Sequence, residues 1–419
     1  MTILKTFSYA MGANFIKILS SLVINKISAV YLGPSGLAVV AQLQNFMLMA
    51  TNFSSLGMST GITKYIAETS NTVGKQKEYL QNIFTLNIFG IFLVSVLIFF
   101  LKDELSVYLF NDIKYLNIIY LIMLGLIFST FNIMFLAIVN GQKEIKKLNL
   151  VQVCISLASM VSSSILIINF DLMGALLSFI LIQIVSFLII ILFIKNDNWL
   201  TFDLLKIKLD KLITSKLGAF ILIAFVSNLM SHGVMLILRN HIIVSTSWVE
   251  AGWWQAIIGI STNYLMVISL TMKQYYIPTI SSIQSFSKLK KEMNSGFKLL
   301  MPFVIITSLF IFTFRDIIVT VLFSREFLIV SDLLWPFLLA NVFKVFSLFY
   351  ITVFISKSKV KIIIYSEFMF GGLFLLMAFL GIEYYGIIGI GYAQLINYIL
   401  YLIYCYYVFY RYIPGELHE

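Results

Sequence analysis

Charge is scarce in this sequence. Asp, Glu, Lys and Arg make up 11% of its 419 residues, where soluble domains carry about 25%. That deficit excludes a soluble domain with a single anchor and points to a protein embedded in membrane along its whole length. Cysteine is limited to Cys154 and Cys405, both inside apolar runs, so neither a disulfide framework nor a thiolate metal site follows. The three histidines, His232, His241 and His418, lack metal-ligand spacing. No G-x-x-x-x-G-K-[ST] phosphate loop occurs, which excludes direct ATP hydrolysis. The first apolar run has no small-residue cleavage site after a short core, so it reads as a retained helix rather than a signal peptide. The sequence implies no cofactor and no metal.

Hydrophobic residues make up 60% of the chain, with 38 Phe and 22 Tyr and a mean hydropathy of +0.97. Runs long enough to span a bilayer, about 20 residues each, fall near 7–31, 37–63, 80–101, 115–140, 148–169, 173–194, 217–244, 251–276, 296–314, 327–355, 360–381 and 386–410. These predict an all-α polytopic membrane protein with twelve transmembrane helices. Within the seventh run, Arg239, Asn240 and His241 read as an interruption. With both termini placed in the cytoplasm, the inner segments hold 21 basic and 9 acidic residues, and the outer segments 4 basic and 9 acidic. That alternation is the positive-inside pattern. The formal net charge of +10 is therefore a matter of topology, and nucleic acid is not a partner.

The longest inner loop divides the chain into a six-helix lobe over 1–200, a cytoplasmic linker at 201–216 and a second six-helix lobe over 217–419. "NGQKEIKKLNLVQ", at the junction of the fourth and fifth helices, resembles "ISKSKVKIIIYSE" at the junction of the tenth and eleventh. Gly174 opens the sixth helix much as Gly386 opens the twelfth. An even number of helices per half makes these parallel repeats about a pseudo-two-fold axis along the membrane normal. The simplest assembly is a V of two lobes facing a central cationic cavity.

Polar stripes mark the faces that avoid lipid. In the first helix Asn14, Lys17, Ser21, Asn25 and Ser28 recur at spacings of three and four. Lys17 lies about 15 Å from the inner end at 1.5 Å per residue. Lys26 points to the opposite side, near enough to the outer surface to snorkel. The second helix aligns Gln42, Asn45, Met49 and Asn52, and the seventh aligns Asn228, His232, Met235 and Arg239. The eighth carries Trp253, Trp254, Gln255, Asn263 and Tyr264, the tenth Asn341 and Lys344, and the eleventh Glu367. Asn, Gln, Ser, Thr and His in membrane helices also serve as interhelical hydrogen-bond partners, and that reading stays open for each of them. For Lys17, Arg239 and Lys344 the competing reading is an ion pair. Glu367 is the one buried acid available, either as that partner for Lys17 or Lys344 or as the carrier of a coupling proton or sodium ion. Surplus fixed cations at membrane depth need an anion, and the substrate is the candidate.

Four segments carry a family resemblance: "YLGPSGLAVVAQLQN", "GITKYIAE", "SWVEAGWWQ" and "NVFKVFSLFYITVFISKS". In this order on a twelve-helix layout they are similar to the Wzx-type polysaccharide flippases of the multidrug/oligosaccharidyl-lipid/polysaccharide exporter superfamily, nearest the O-antigen and enterobacterial common antigen flippases. The resemblance implies alternating-access passage of an undecaprenyl-pyrophosphate-linked oligosaccharide from the cytoplasmic to the periplasmic leaflet of a bacterial inner membrane. It implies Lys17, Lys26, Arg239 and Lys344 as the cations of the cavity. The other partners would be membrane lipids and the polymerase and chain-length regulator of the same pathway. Asn14, Gln42, Asn45, Asn52, Asn228, His232, Trp254, Gln255, Asn263 and Tyr264 would face the glycan. Two alternatives compete. A cation-coupled drug exporter would favour acidic cavity residues, and here the basic ones dominate. A polysaccharide polymerase or ligase would need a catalytic site on sizeable outer loops, and these are short.

Overall fold

The computed structural model describes residues 3–69, 73–200, 206–357 and 359–413, nearly all of them helical; His418 lies outside them. The chain runs through α1 (Ile3–Ser54), α2 (Ser59–Thr69), α3 (Val73–Phe100), α4 (Lys102–Phe110), α5 (Leu116–Gly141), α6 (Ile145–Ile194), α7 (Lys211–Asn228) and α8 (Val234–Ser245). It continues through α9 (Trp248–Thr271), α10 (Ile277–Ser282), α11 (Phe286–Thr313), α12 (Arg315–Leu322), α13 (Ile329–Ser356), α14 (Val360–Tyr385) and α15 (Ile388–Tyr412). Hydrocarbon offers no partner for a peptide group, so an apolar chain that enters it must satisfy its backbone internally, as a helix does. Among the described residues eight helices are long and apolar enough to cross a membrane, which makes the chain a multi-pass membrane protein.

Two of the eight exceed the length of a single span. The α1 stretch of 43 residues and α6 at 50 residues are each about twice what one crossing needs. Each is broken once, α1 at Gly33 (φ 64, ψ −170) ahead of Pro34 and α6 at Asp171 (φ 47, ψ −132). In α6 the break reverses the chain. Lys147, in its first turn, reaches Asp197, just past its end, at 2.7 Å, and the Trp199 indole donates to the same carboxylate at 3.2 Å.

Three expectations need correction. The run 37–63 is not one helix, because the backbone turns through Leu56 (φ 51) and Gly57 (φ 59) before α2 begins. The interruption of the seventh run is not at Arg239–His241, which lie in regular α8. It is a π-helical turn at Leu229–Gly233. That turn holds one residue more than an α turn, so the spacing of three and four counted through Asn228, His232, Met235 and Arg239 is not kept across it.

The described chain forms two compact units. One comprises Met1–Leu32 with Val39–Leu236, the other Gly33–Ala38 with Ile237–Glu419. In the first, Ile62, Ile66, Phe135, Ile138 and Ile190 pack into one buried layer, and Leu43, Met47, Ile119, Leu126 and Leu176 into another. Small polar groups join its helices: Thr51 with Ser129 at 2.8 Å, Ser54 with Thr130, and the Asn132 amide donating to the Gln183 carbonyl at 2.9 Å. Such bonds are worth about 0.6 kcal/mol each in membrane helices. In the second unit Leu289, Val304, Phe349, Phe354 and Phe409 form the core. Phe92, Phe100, Leu309 and Tyr365 lie exposed on helix surfaces, as lipid-facing side chains do.

The backbone repeats itself within the two halves. Glu144 (φ −83, ψ 59) precedes α6 as Lys359 (φ −79, ψ 57) precedes α14. Each donates its N–H five residues back, to Val139 at 3.3 Å and Phe354 at 2.8 Å. Asp171 matches Gly386 (φ 64, ψ −152). Gly174 matches Gly389: a Cβ on the first would meet the Leu166 carbonyl oxygen at 1.9 Å, and on the second that of Gly381 at 2.0 Å. Every partner lies 215 residues further on (144 to 359, 171 to 386, 174 to 389). The expected pairing of Gly174 with Gly386 is thus three residues out of register. Asp171, exposed and in a region that favours glycine, carries strain of order 1 kcal/mol. Asp171→Gly should raise the thermal midpoint in detergent by the worth of about 1 kcal/mol; an unchanged midpoint would show that the aspartate side chain compensates.

Candidate functional site

Arg239 is the one cation among the described residues that is fully buried. Helix α8 carries it, and α9 supplies its surroundings. The start of α9 is fixed by Ser247, whose extended backbone places its hydroxyl to accept from the Glu250 N–H at 3.2 Å. With Glu three residues on, this is the serine half of a capping box. Gly252 comes next, with its Cα against the Pro34 carbonyl, where a Cβ would come within 1.9 Å. Nearly two turns into α9, Trp254 (1% exposed) and Gln255 then meet the guanidinium.

The geometry is specific. Arg239 Nη2 donates to Gln255 Oε1 at 2.5 Å, and the guanidinium carbon lies 5.3 Å from the Trp254 ring centroid. The ring face supplies partial negative charge, and the amide oxygen is neutral. Nε and Nη1 have no hydrogen-bond partner, and no carboxylate pairs with the group among the described residues. A buried charge left so incompletely matched costs several kcal/mol. An anion delivered to those two nitrogens would recover much of that cost, with charge-assisted bonds of the bidentate kind.

A second polar group lies in the same unit. Asn341, 1% exposed, donates to Ser261 Oγ at 2.9 Å and leaves its own Oδ1 without a partner. Ser261 is six residues beyond Gln255, about 9 Å along α9. One turn on from Asn341, the exposed Lys344 holds its ammonium 5.6 Å from the Tyr398 ring of α15. Tyr264 reaches Ser308 at 3.4 Å, and Asn263 is half-buried.

The first unit places the remaining residues. Lys17 is exposed and makes no hydrogen bond or ion pair with a described residue, whereas Lys26 is half-buried and has a partner. Within the second unit Lys344 makes no ion pair with Glu367, which is half-buried and engaged elsewhere. Asn52 donates to Asn228 Oδ1 at 3.0 Å, and Asn228 to the Met49 carbonyl at 3.1 Å. These two are joined by an interhelical hydrogen bond. Asn45 bonds to its own helix at Ala41. Gln42 is wholly buried with both amide atoms unpaired, and Asn14 and His232 are half-buried. Trp254 is buried with the Arg239 guanidinium over its ring, and Trp253 is half-buried.

Tyr398 and Ser261 were not among the expected residues. The signal for Tyr398 is present in the sequence, since Gln394, Asn397 and Tyr398 form a polar stripe at spacings of three and four in the last helix.

Comparison with known proteins places the chain. The family model described as "Polysaccharide biosynthesis protein" matches residues 3–284. The Lipid III flippase of Escherichia coli (strain K12) is 24% identical over 410 residues, 98% of each chain, and that of Shigella flexneri matches equally. Among solved structures, an inward-facing multidrug resistance MATE family transporter of the MOP superfamily superposes with a TM-score of 0.73 at 16% identity, over 95% of this chain and 97% of that one. A Vibrio cholerae MATE transporter gives 0.70 at 13% identity over 98% of both. At these identities the structures establish a shared fold. The chain belongs to the polysaccharide biosynthesis protein family, the group that its Wzx-like motifs resemble.

Proposed function

We propose that this protein is a flippase, not an enzyme, carrying an undecaprenyl-pyrophosphate-linked oligosaccharide of the O-antigen type to the periplasmic leaflet of a bacterial inner membrane. The carrying observation is Arg239: a buried guanidinium with two unmatched nitrogens and no acid beside it suits a diphosphate that arrives and leaves. Lys17 and Lys344, exposed and without acidic partners among the described residues, add cations of the same purpose, and Lys26 is a weaker candidate. Asn341, Gln42 and Asn263 offer amide groups for glycan hydroxyls. A drug exporter for cationic compounds would place a carboxylate where Arg239 stands.

The proposal includes twelve crossings with both termini inside, in lobes spanning 1–200 and 217–419. Splitting α1 at Gly33 and α6 at Asp171 turns eight long helices into ten spans. The segments Lys211–Ser245 and Trp248–Ser282, each carrying a π turn, supply two more.

The test is reconstitution in proteoliposomes with a lipid-linked oligosaccharide accessible to a glycan-modifying enzyme on one side only. Translocation above that of protein-free vesicles is expected, and its absence with correctly folded protein would remove the proposal. In the same assay Lys17→Ala should slow transfer more than Lys26→Ala, with normal protein abundance, because no ion pair is broken at position 17.

A further inference from the structure

At the inner ends of α5 and α6 lies a cleft of about 810 Å³ that the transport reading does not use. Its lining is partly apolar and partly charged, and the charged part includes Glu144 and Lys147, which pair with each other. Ile145 and Leu150, 36% and 43% exposed, form with Phe193 an apolar trough, and Lys143 and Lys146 stand at its rim. Its depth is set by the knot beside it, where Trp199 and Lys147 both bind Asp197, an aromatic and a cation at the level of a membrane interface.

The three lysines of this turn are not equivalent. Lys147 is neutralised twice, by Asp197 at 2.7 Å and Glu144 at 2.5 Å. The ammonium groups of Lys143 and Lys146 make no hydrogen bond or ion pair with a described residue. Two uncompensated ammonium groups above an apolar trough match a phosphodiester joined to an acyl chain.

The backbone adds an independent observation. Lys143 has φ +61. It occupies the left-handed position of a Schellman turn, with its N–H on the Asn140 carbonyl at 3.0 Å and that of Glu144 on Val139 at 3.3 Å. Glycine is the usual residue there. A lysine at that position holds an amine at the rim against a local conformational cost.

We propose that this cleft binds one anionic glycerophospholipid of the inner leaflet, its phosphate between Lys143 and Lys146 and an acyl chain along Ile145, Leu150 and Phe193. The purified full-length protein in detergent, titrated with phosphatidylglycerol and read by native mass spectrometry, should show a bound lipid that phosphatidylcholine of the same chains does not replace. Lys143→Gly and Lys146→Gln should each weaken binding about fivefold, the worth of one basic side chain at an anionic lipid surface. Lys143→Gly should at the same time hold or raise the lipid-free thermal midpoint, because it relieves the left-handed lysine. Arg239→Ala should bind phosphatidylglycerol as the parent does, so failure here is separable from failure of the transport reading. Unchanged phosphatidylglycerol binding in both lysine variants, or equal binding of phosphatidylcholine, would overturn the proposal. So would displacement of the lipid by an equal concentration of a polyprenyl phosphate, which would make the cleft a substrate entrance instead.

Discussion

Arg239→Ala should abolish export of surface polysaccharide while leaving the protein folded and abundant. The guanidinium contacts one amide oxygen at 2.5 Å and one indole face at 5.3 Å, so no partner charge is stranded when it is removed. Breaking a buried ion pair usually costs 3–5 kcal/mol because the partner is left unpaired; here that penalty does not arise, and the variant should match or exceed the parent in stability. The loss falls on the ligand. A hydrogen bond to a charged group contributes about 1.5–3 kcal/mol, so two of them lost from a diphosphate amount to at least a hundredfold in affinity. Arg239→Lys should retain a fraction of activity, since a point charge replaces a planar fork. Export measured beside abundance decides the matter. Normal export in the alanine variant would refute the anion role, and loss of folded protein would assign Arg239 to the scaffold.

Much of this was legible in the sequence, and the shortfalls share physical causes. Hydrophobic runs and loop charge locate helices because lipid permits few alternatives. The same logic exposed Arg239 as a cation at membrane depth. What pattern could not supply was register. The π turn at Leu229–Gly233 interrupts the spacing of three and four, and periodicity counted over an assumed regular helix missed it. Nor could pattern choose between an amide facing a ligand and one facing a neighbouring helix. Asn52 donates to Asn228 and Asn228 to the Met49 carbonyl, the Gln42 amide has no partner among the described residues, and the three read alike in one dimension.

The repeat shows the same limit. Glycine serves two purposes in the outer turns of α6 and of α14–α15: it adopts positive φ, and it admits a carbonyl where a methyl would not fit. In the second half Gly386 does the first and Gly389 the second. In the first half Asp171 has taken the turn position, leaving Gly174 with the close approach alone. Matching glycine to glycine therefore slides the register by three.

Gly174→Ala and Gly389→Ala should both be severely destabilising, and valine at either position should leave no folded protein. In a helix interior alanine normally gains about 1 kcal/mol over glycine, so the sign itself is diagnostic. The added Cβ would lie 1.9 Å from the Leu166 oxygen in one case and 2.0 Å from the Gly381 oxygen in the other. These neighbours are backbone and cannot rotate away as a side chain would. Relief requires the two arms of the hairpin to separate, at the upper end of the 1–3 kcal/mol typical of overpacking, or more. Gly372, in α14 with nothing within 4 Å of its would-be Cβ, supplies the control: alanine there should be neutral or stabilising. Size-exclusion profiles and thermal midpoints in detergent will read all three variants. If Gly174→Ala collapses the protein while Gly389→Ala does not, the 215-residue correspondence fails at the contact that defines it.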